Sequence, residues 1–422
     1  MKQLRWFFEL TLFFSAILTQ LPVGEAEVTP YLPADGLDLG QGFNTFTGQG
    51  ALLGAVTVSE IPDGQATDDR GLTAEEPAGD GVKFYSAEQI DTYEKLAKSL
   101  DISASANIGG WGQSASISGN YLDKSSFDTS SFTYLVKIRV EDQPSSKNKY
   151  SFNWDSTSSP EDAQLLYGDR WIKDFITGGA YFARVSIFVK EKDSTEEVGA
   201  AAEAAFKDFG VTGGFSAAVN ASLDTIGKYS KVTIDKMSFG ELSSQIQIPS
   251  NPTNLQDEDS NFKDRLNGIK READEFWDKA NNQKAKLYAI LATYPMLRDF
   301  HKRFEPLNYE EAKLLSWPVL LDFEDYKSTE DMIKQIPEDK FQGGRETRNK
   351  LNRESSDFLE TCRKWVSDVT ANPAEAQSRQ PHSDPQRFRA KVLENPDSPE
   401  GQSTDKVNND VNNTINDDEE IL

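Results

Sequence analysis

The tightest constraint in this sequence is the stretch YGDRWIKDFITGGAYF at residues 167–182. The mix of polar and apolar residues at 171–176 predicts a short helical run, stopped by Gly178-Gly179. Beyond the glycines, Tyr181, Ala183, Val185, Ile187 and Val189 alternate with Phe182, Arg184, Ser186, Phe188 and Lys190, the period of a strand. Paired glycines suit a place where a helix ends and the backbone must bend, because they tolerate φ > 0 and carry no Cβ.

Two segments of small residues flank this stretch. In the first, Ile102, Ala104, Ala106 and Ile108 alternate with Ser103, Ser105 and Asn107. Gly109-Gly110-Trp111-Gly112 then turns the chain, and Ala115, Ile117, Gly119 and Tyr121 alternate with Ser114, Ser116, Ser118 and Asn120. In the second, Val198, Ala200, Ala202, Ala204 and Phe206 form one stripe, with Gly199, Glu203 and Lys207 opposite. Glycines at 210, 213 and 214 permit a turn, after which Phe215, Ala217, Val219, Ala221 and Leu223 alternate with Ser216, Ala218, Asn220 and Ser222. By propensity alone, residues 197–209 are a helix, being rich in Ala with Glu and Lys. The same residues therefore fit a soluble helix and a two-faced strand. Strong strand patterns at 132–140 and 232–239 complete the order: strand, small-residue segment, strand, glycine pair, strand, small-residue segment, strand.

The central stretch resembles the signature of the membrane-attack-complex/perforin family: Tyr-Gly, two polar residues, an aromatic, six residues, then Gly-Gly. Tyr167, Gly168, Trp171, Gly178 and Gly179 match it position by position. Asp169 stands where the family usually has Thr or Ser, and Arg170 where it often has His. The resemblance covers about residues 81–240 and implies an α+β fold: a bent, twisted four-stranded antiparallel sheet flanked by helical clusters. It also implies that each small-residue segment, about 102–131 and 195–227, is helical in the soluble protein and a β-hairpin in a membrane. On that reading Ala115, Ile117, Tyr121, Phe215, Ala217, Val219, Ala221 and Leu223 meet lipid. Residues 81–248 form the core, preceded by a Gly-rich extension at 27–80 and followed by a helical region at 249–370 and a disordered acidic tail at 371–422.

Composition narrows the function. The chain has 422 residues and a net charge of −24, which opposes general nucleic-acid binding and simple adsorption to anionic lipid. Two His, at 301 and 382, and one Cys, at 362, leave no disulfide framework and no expected metal site, cofactor or Ser-His-Asp set. Acid groups at Glu196-Glu197 and at Asp322, Glu324 and Asp325 read as solvated faces of an acidic chain rather than a catalytic pair. No enzyme activity is expected.

Residues 1–26 have the pattern of a secretory signal peptide: Lys2 and Arg5, an apolar run at 10–19, Pro22, and Gly24-Glu25-Ala26 for cleavage. A secreted protein is expected, with Asn220 and Asn412 as candidate glycosylation acceptors. Helices are predicted at 87–100, at 262–280 with an apolar stripe, at 287–300 broken by Pro295, and at 309–315, 330–336 and 345–369. The leading expectation is a pore-forming protein whose partners are membrane lipid, further copies of itself in a ring, and a membrane-binding partner protein if one is needed. The other is a non-lytic protein of the same fold that binds or supports.

Overall fold

The computed structural model describes residues 27–31, 36–60, 82–111, 121–144, 148–207, 209, 214–239, 262–280 and 285–394. In chain order, β1 (Glu27–Pro30), β2 (Gly42–Asn44), β3 (Gln49–Gly50), β4 (Val56–Glu60) and β5 (Val82–Gln89) precede a first helical cluster. That cluster is α1 (Tyr93–Ser99), α2 (Ala104–Gly109) and α3 (Lys124–Thr129). Next come β6 (Phe132–Asp142), β7 (Asn148–Phe152), α4 (Pro160–Tyr167) and β8 (Arg170–Val189), then a second cluster, α5 (Thr195–Lys207) and α6 (Ala217–Tyr229). The chain continues with β9 (Ser230–Phe239), α7 (Phe262–Ala280), β10 (Lys286–Ala292), α8 (Glu310–Gln335), α9 (Gly344–Ala371) and α10 (Pro385–Leu393).

The resemblance implies a sheet of four strands; among the described residues the sheet has eight, all antiparallel, and β8 is common to both of its branches. One branch runs β5-β6-β8-β9, the other β1-β10-β8-β2-β3. The 20-residue β8 changes partners near its middle. Along one edge it pairs with β10 up to Thr177 and with β9 from Ala180. Along the other it pairs with β2 at Arg170 and Trp171, and with β6 from Thr177 to Ile187.

The two faces of the β5-β6-β8-β9 branch differ. One is apolar: Tyr134, Val136, Ile138, Val140, Tyr181, Ala183, Val185 and Ile187 pack under α5, α6 and α7. The other carries Leu135, Ala180, Phe182 and Met237 under α1 and its neighbours. It also carries the buried polar residues Arg184 and Ser186. The two helical clusters thus cover opposite faces of one sheet. Helices α8, α9 and α10 form a further core that also takes in Ala104 and Ile108 of α2.

Several expectations are corrected. Residues 171–176 are strand, not helix. Their apolar residues fall at 171, 172, 175 and 176 because β8 is irregular against β10, with register shifts at Lys286/Tyr288 and Ile290/Leu291. Such a slip reverses the alternation of faces and leaves a spacing that imitates a helix. Residues 287–300 are mainly β10 and a 3-10 turn, Tyr294–Met296. The helix expected at 87–100 is confined to α1, because β5 runs through Gln89. Of the alternating residues 102–108, those from Ala104 on are α2, the helical form that the resemblance implies for the soluble protein; it is capped by the Ser103 hydroxyl, which accepts from the Ala106 N–H, and closed by Gly110 in the left-handed region. The separate helices at 309–315 and 330–336 are one, α8, with Pro318 inside it. The tail expected from 371 is packed as far as α10, where Phe388 and Val392 are buried. The signal-peptide residues 1–26, positions Ala115 and Ile117, Asn412 and the end of the tail lie outside the described residues.

Candidate functional site

The signature residues fall in two places. Tyr167, Gly168 and Trp171 anchor the start of β8. The Tyr167 ring is buried against Phe152, Trp154, Tyr294 and Phe304. Its hydroxyl donates to the Asn153 carbonyl (2.7 Å) and accepts from the Asp155 N–H (2.8 Å). Trp171 is 2 % exposed and donates from Nε1 to the Thr293 carbonyl (3.1 Å). Gly168 has φ 74°, and a Cβ there would lie 2.3 Å from the Phe43 carbonyl oxygen, so only glycine fits.

Asp169 explains its own departure from the family pattern. Its carboxylate, 2 % exposed, accepts from the Thr45 N–H (2.8 Å) and the Thr45 hydroxyl (2.7 Å). Arg170 lies 3.4 Å away and also faces Glu27 at 3.7 Å. Burial pushes the Asp169 pKa up, against the bonds from Thr45 and the charge of Arg170. These contacts tie β1 and the end of β2 to the start of β8.

Gly178 and Gly179 sit about 20 Å farther along β8, given roughly 3.3 Å per strand residue. They do not end a helix; they lie inside a strand where its partners change. Gly178 has φ 139°, and its N–H donates to the Ala285 carbonyl (2.8 Å). A Cβ at 178 would lie 2.0 Å from the Val140 carbonyl oxygen of β6. Gly179 pairs with Val140 and does not share the positive φ. The backbone requirement at this junction therefore falls on Gly178.

The described parts of both small-residue segments are mainly helical. In α5, Val198, Ala202, Ala205 and Phe206 are buried, and in α6 Val219, Leu223 and Ile226 are, a helical spacing in each case. Of the residues expected in lipid, Tyr121, Val219 and Leu223 are buried, Phe215 is half-buried, and Ala217 and Ala221 are exposed. The side chain of Asn220 donates to the Ser216 carbonyl (3.0 Å) and the Phe215 carbonyl (3.2 Å). The two segments are held differently. The second rests on α7, with Lys263 and Asp224 3.1 Å apart. The first is enclosed: Ser105 donates to the Phe46 carbonyl (2.5 Å), and Lys124 meets Asp325 of α8 at 2.6 Å.

Sequence reading missed Arg184. It lies in β8, 1 % exposed, and faces Asp235 of β9 at 3.4 Å. Its guanidinium donates to the Tyr121 carbonyl (2.7 Å) and the Ser126 hydroxyl (3.1 Å), so it pins the first helical cluster to the sheet. Burial raises the Asp235 pKa, and Arg184 opposes the rise. Its one visible signal was a lone Arg in the middle of an apolar strand. Lys137 of β6 makes a parallel tie, donating to the Ser99 carbonyl at the end of α1 (2.9 Å).

The acids set aside from catalysis occupy structural positions. Glu324 pairs with Lys327 at 3.2 Å, Asp325 with Lys124, and Asp322 accepts from Ser383 (2.8 Å). Glu196 and Glu197 are exposed in the first turn of α5. Among the described residues, no group of three or more His, Cys, Asp or Glu is placed to hold a metal ion. Also among them, no helix is long and apolar enough to cross a membrane.

No family model and no curated protein matches the chain. Solved structures similar to it are proteins of the membrane-attack-complex/perforin and cholesterol-dependent-cytolysin kind. Stonustoxin is 11 % identical with a TM-score of 0.36, over 88 % of this chain and 45 % of that one. Pneumolysin is 12 % identical with a TM-score of 0.29, over 51 % of this chain and 41 % of that one. A putative cell invasion protein with a MAC/Perforin domain from Bacteroides thetaiotaomicron is 12 % identical with a TM-score of 0.23, over 60 % and 63 %. This chain thus spans less than half of the stonustoxin and pneumolysin chains. Overlaps this loose leave function to the geometry of the chain itself.

Proposed function

We propose that this chain is a secreted pore-forming protein, without cofactor or enzymatic activity, that assembles with copies of itself on a lipid membrane. Monomers meet edge to edge, the sheet straightens about Gly178, and residues 102–131 and 195–227 leave their helices to become amphipathic hairpins of a shared β-barrel. One observation carries this reading. The described parts of both small-residue segments are folded mainly as helices, yet each segment lies between two strands paired in one sheet, so each hairpin would extend an existing ladder. A barrel crossing needs about 9–11 residues per strand, which each segment supplies.

A second reading is a non-lytic protein of the same fold, and the enclosure of α2 between the β2–β3 turn and α8 and α9 favours it. The two are separated by a tether. Asp224→Cys with Lys263→Cys, joined by a reducible bifunctional maleimide, fastens α6 to α7, where the native side chains meet at 3.1 Å. The pore reading predicts dye release from liposomes that is lost on tethering and returns on reduction. Membrane binding with no release in any form would leave the non-lytic reading.

A further inference from the structure

We infer that Glu203 forms a carboxylate ring in the lumen of the pore and makes it cation-selective, an assignment that rests on the pore-forming reading above. Two β-ladders that the structure fixes independently lead to it. In the β8-β9 ladder Val185 faces Ile234 and Val189 faces Ser230, so each residue added beyond β8 takes one from before β9. Carried outward without a shift, that register sets Val198 opposite Ala221, Ala200 opposite Val219, Ala202 opposite Ala217 and Ala204 opposite Phe215. From Val198/Ala221 to Ala204/Phe215 the two apolar stripes of the second segment meet on one face with no charged residue; one step toward the sheet, Leu223 faces Glu196.

The β5-β6 ladder behaves in the same way. Val82 faces Glu141 and Gln89 faces Tyr134. The same extension sets Ile102 opposite Tyr121, and the sequence beyond it sets Ala106 opposite Ile117. Since side chains alternate strictly along a strand, a slip of one residue in either ladder would put the stripes on opposite faces. Neither ladder needs a slip.

The face can be named. Val198 has the parity of Arg184, and Tyr121 has the parity of Leu135, which pairs with Arg184. Both apolar stripes therefore extend the sheet face that carries Arg184 beneath α1. The opposite face, beneath α7, extends into Ser103, Ser105 and Asn107, and into Gly199, Ala201, Glu203, Ala205, Ser216, Ala218 and Asn220. A barrel turns its apolar stripe to lipid, so this second face lines the water. Glu203 is the ionisable residue at mid-crossing on that face; Lys207, beside the turn, and Glu197 and Asp224, at the sheet end, share its parity. Counted from Val198, Glu203 lies near the middle of a crossing of about 11 residues. Repeated once per subunit, it makes a ring of negative charge, the arrangement that favours cations in a water-filled pore. In the soluble protein Glu203 is exposed on α5, so its replacement leaves packing intact.

The test is reversal potential across a planar bilayer in a KCl gradient, with wild type, Glu203→Gln and Glu203→Lys, folding being checked by circular dichroism. Wild-type pores should reverse on the potassium side. Glu203→Gln should move the reversal potential toward zero, and Glu203→Lys should carry it to the chloride side. Conducting Gln and Lys pores with wild-type reversal potentials would overturn the assignment while leaving the pore standing. Wild-type protein that binds the bilayer without conducting would overturn the pore and the assignment together.

Discussion

Replacing Gly178 by alanine tests whether the middle of β8 is a backbone junction or an incidental pair of glycines. At φ 139° the residue occupies a region that L side chains rarely adopt, at a cost of about 1–3 kcal/mol. The added Cβ would also stand 2.0 Å from the Val140 carbonyl oxygen and 3.3 Å from the Glu141 Cα. Both neighbours are backbone of β6, paired with β8 near the end of their ladder, and cannot rotate away as a side chain would. Overpacking of this kind costs roughly 1–3 kcal/mol more. Gly178→Ala should therefore lose about 2–6 kcal/mol, read as a lower urea midpoint with the slope unchanged. Gly268→Ala is the matched control. It lies inside α7 with nothing within 4 Å of its Cβ, so it should gain roughly 0.5–1 kcal/mol from helix propensity. Gly178→Ala as stable as wild type, with the control behaving as stated, would refute the strained junction.

Two further substitutions probe the anchor and the tie. Asp169→Ala strands the Thr45 N–H and hydroxyl in a buried site and should cost about 1–3 kcal/mol for each donor left unsatisfied; Asp169→Asn keeps an acceptor and should cost less, both read by chemical denaturation. Arg184→Met removes the partner of Asp235 and should cost roughly 3–5 kcal/mol, the range for breaking a buried pair. Without Arg184 the already raised Asp235 pKa rises further above its unfolded value. Stability tied to such a group is present when it is protonated and is lost as pH rises through the folded pKa. The deficit of Arg184→Met should therefore be larger at pH 7 than at pH 5, and an equal deficit at both would remove Asp235 from the explanation.

Period made much of the fold legible. The alternation at 181–189 and 132–140 gives β8 and β6, and the stripe Phe262, Leu266, Ile269, Ala273 and Phe276 is the buried face of α7. The double character of 197–209 was visible because small residues satisfy both periods. Period failed where geometry is not local. The irregular pairing of β8 with β10 gives 171–176 a helical spacing, and residues 286–292 are apolar nearly throughout, which suits a buried strand as well as a helix. Residues 104–109 alternate in sequence but form a short capped helix, α2, which takes Ile108 into the core of α8 and α9. The five signature positions were legible, and that they form an anchor and a separate junction was not. Arg184 could not be ranked from sequence, because its partners come from β9 and the loop and helix near residues 121–126.

The central claim is that residues 217–223 are a helix in solution and part of a two-faced strand, 215–223, in a membrane. Single cysteines along this segment, each carrying a polarity-sensitive dye, measure it directly. Cys362 can stay in place, because it is buried and burial pushes its thiol pKa up to about 12, leaving little reactive thiolate. In solution the dye should report an apolar setting at Val219 and Leu223 and water at Ala217 and Ala221, as their burial requires. On liposomes to which the protein has been shown to bind, Ala217 and Ala221 should shift to an apolar setting while Ser216, Ala218 and Ser222 stay wet. Retention of the solution pattern on those membranes, with Ala217 and Ala221 still in water, would contradict the account.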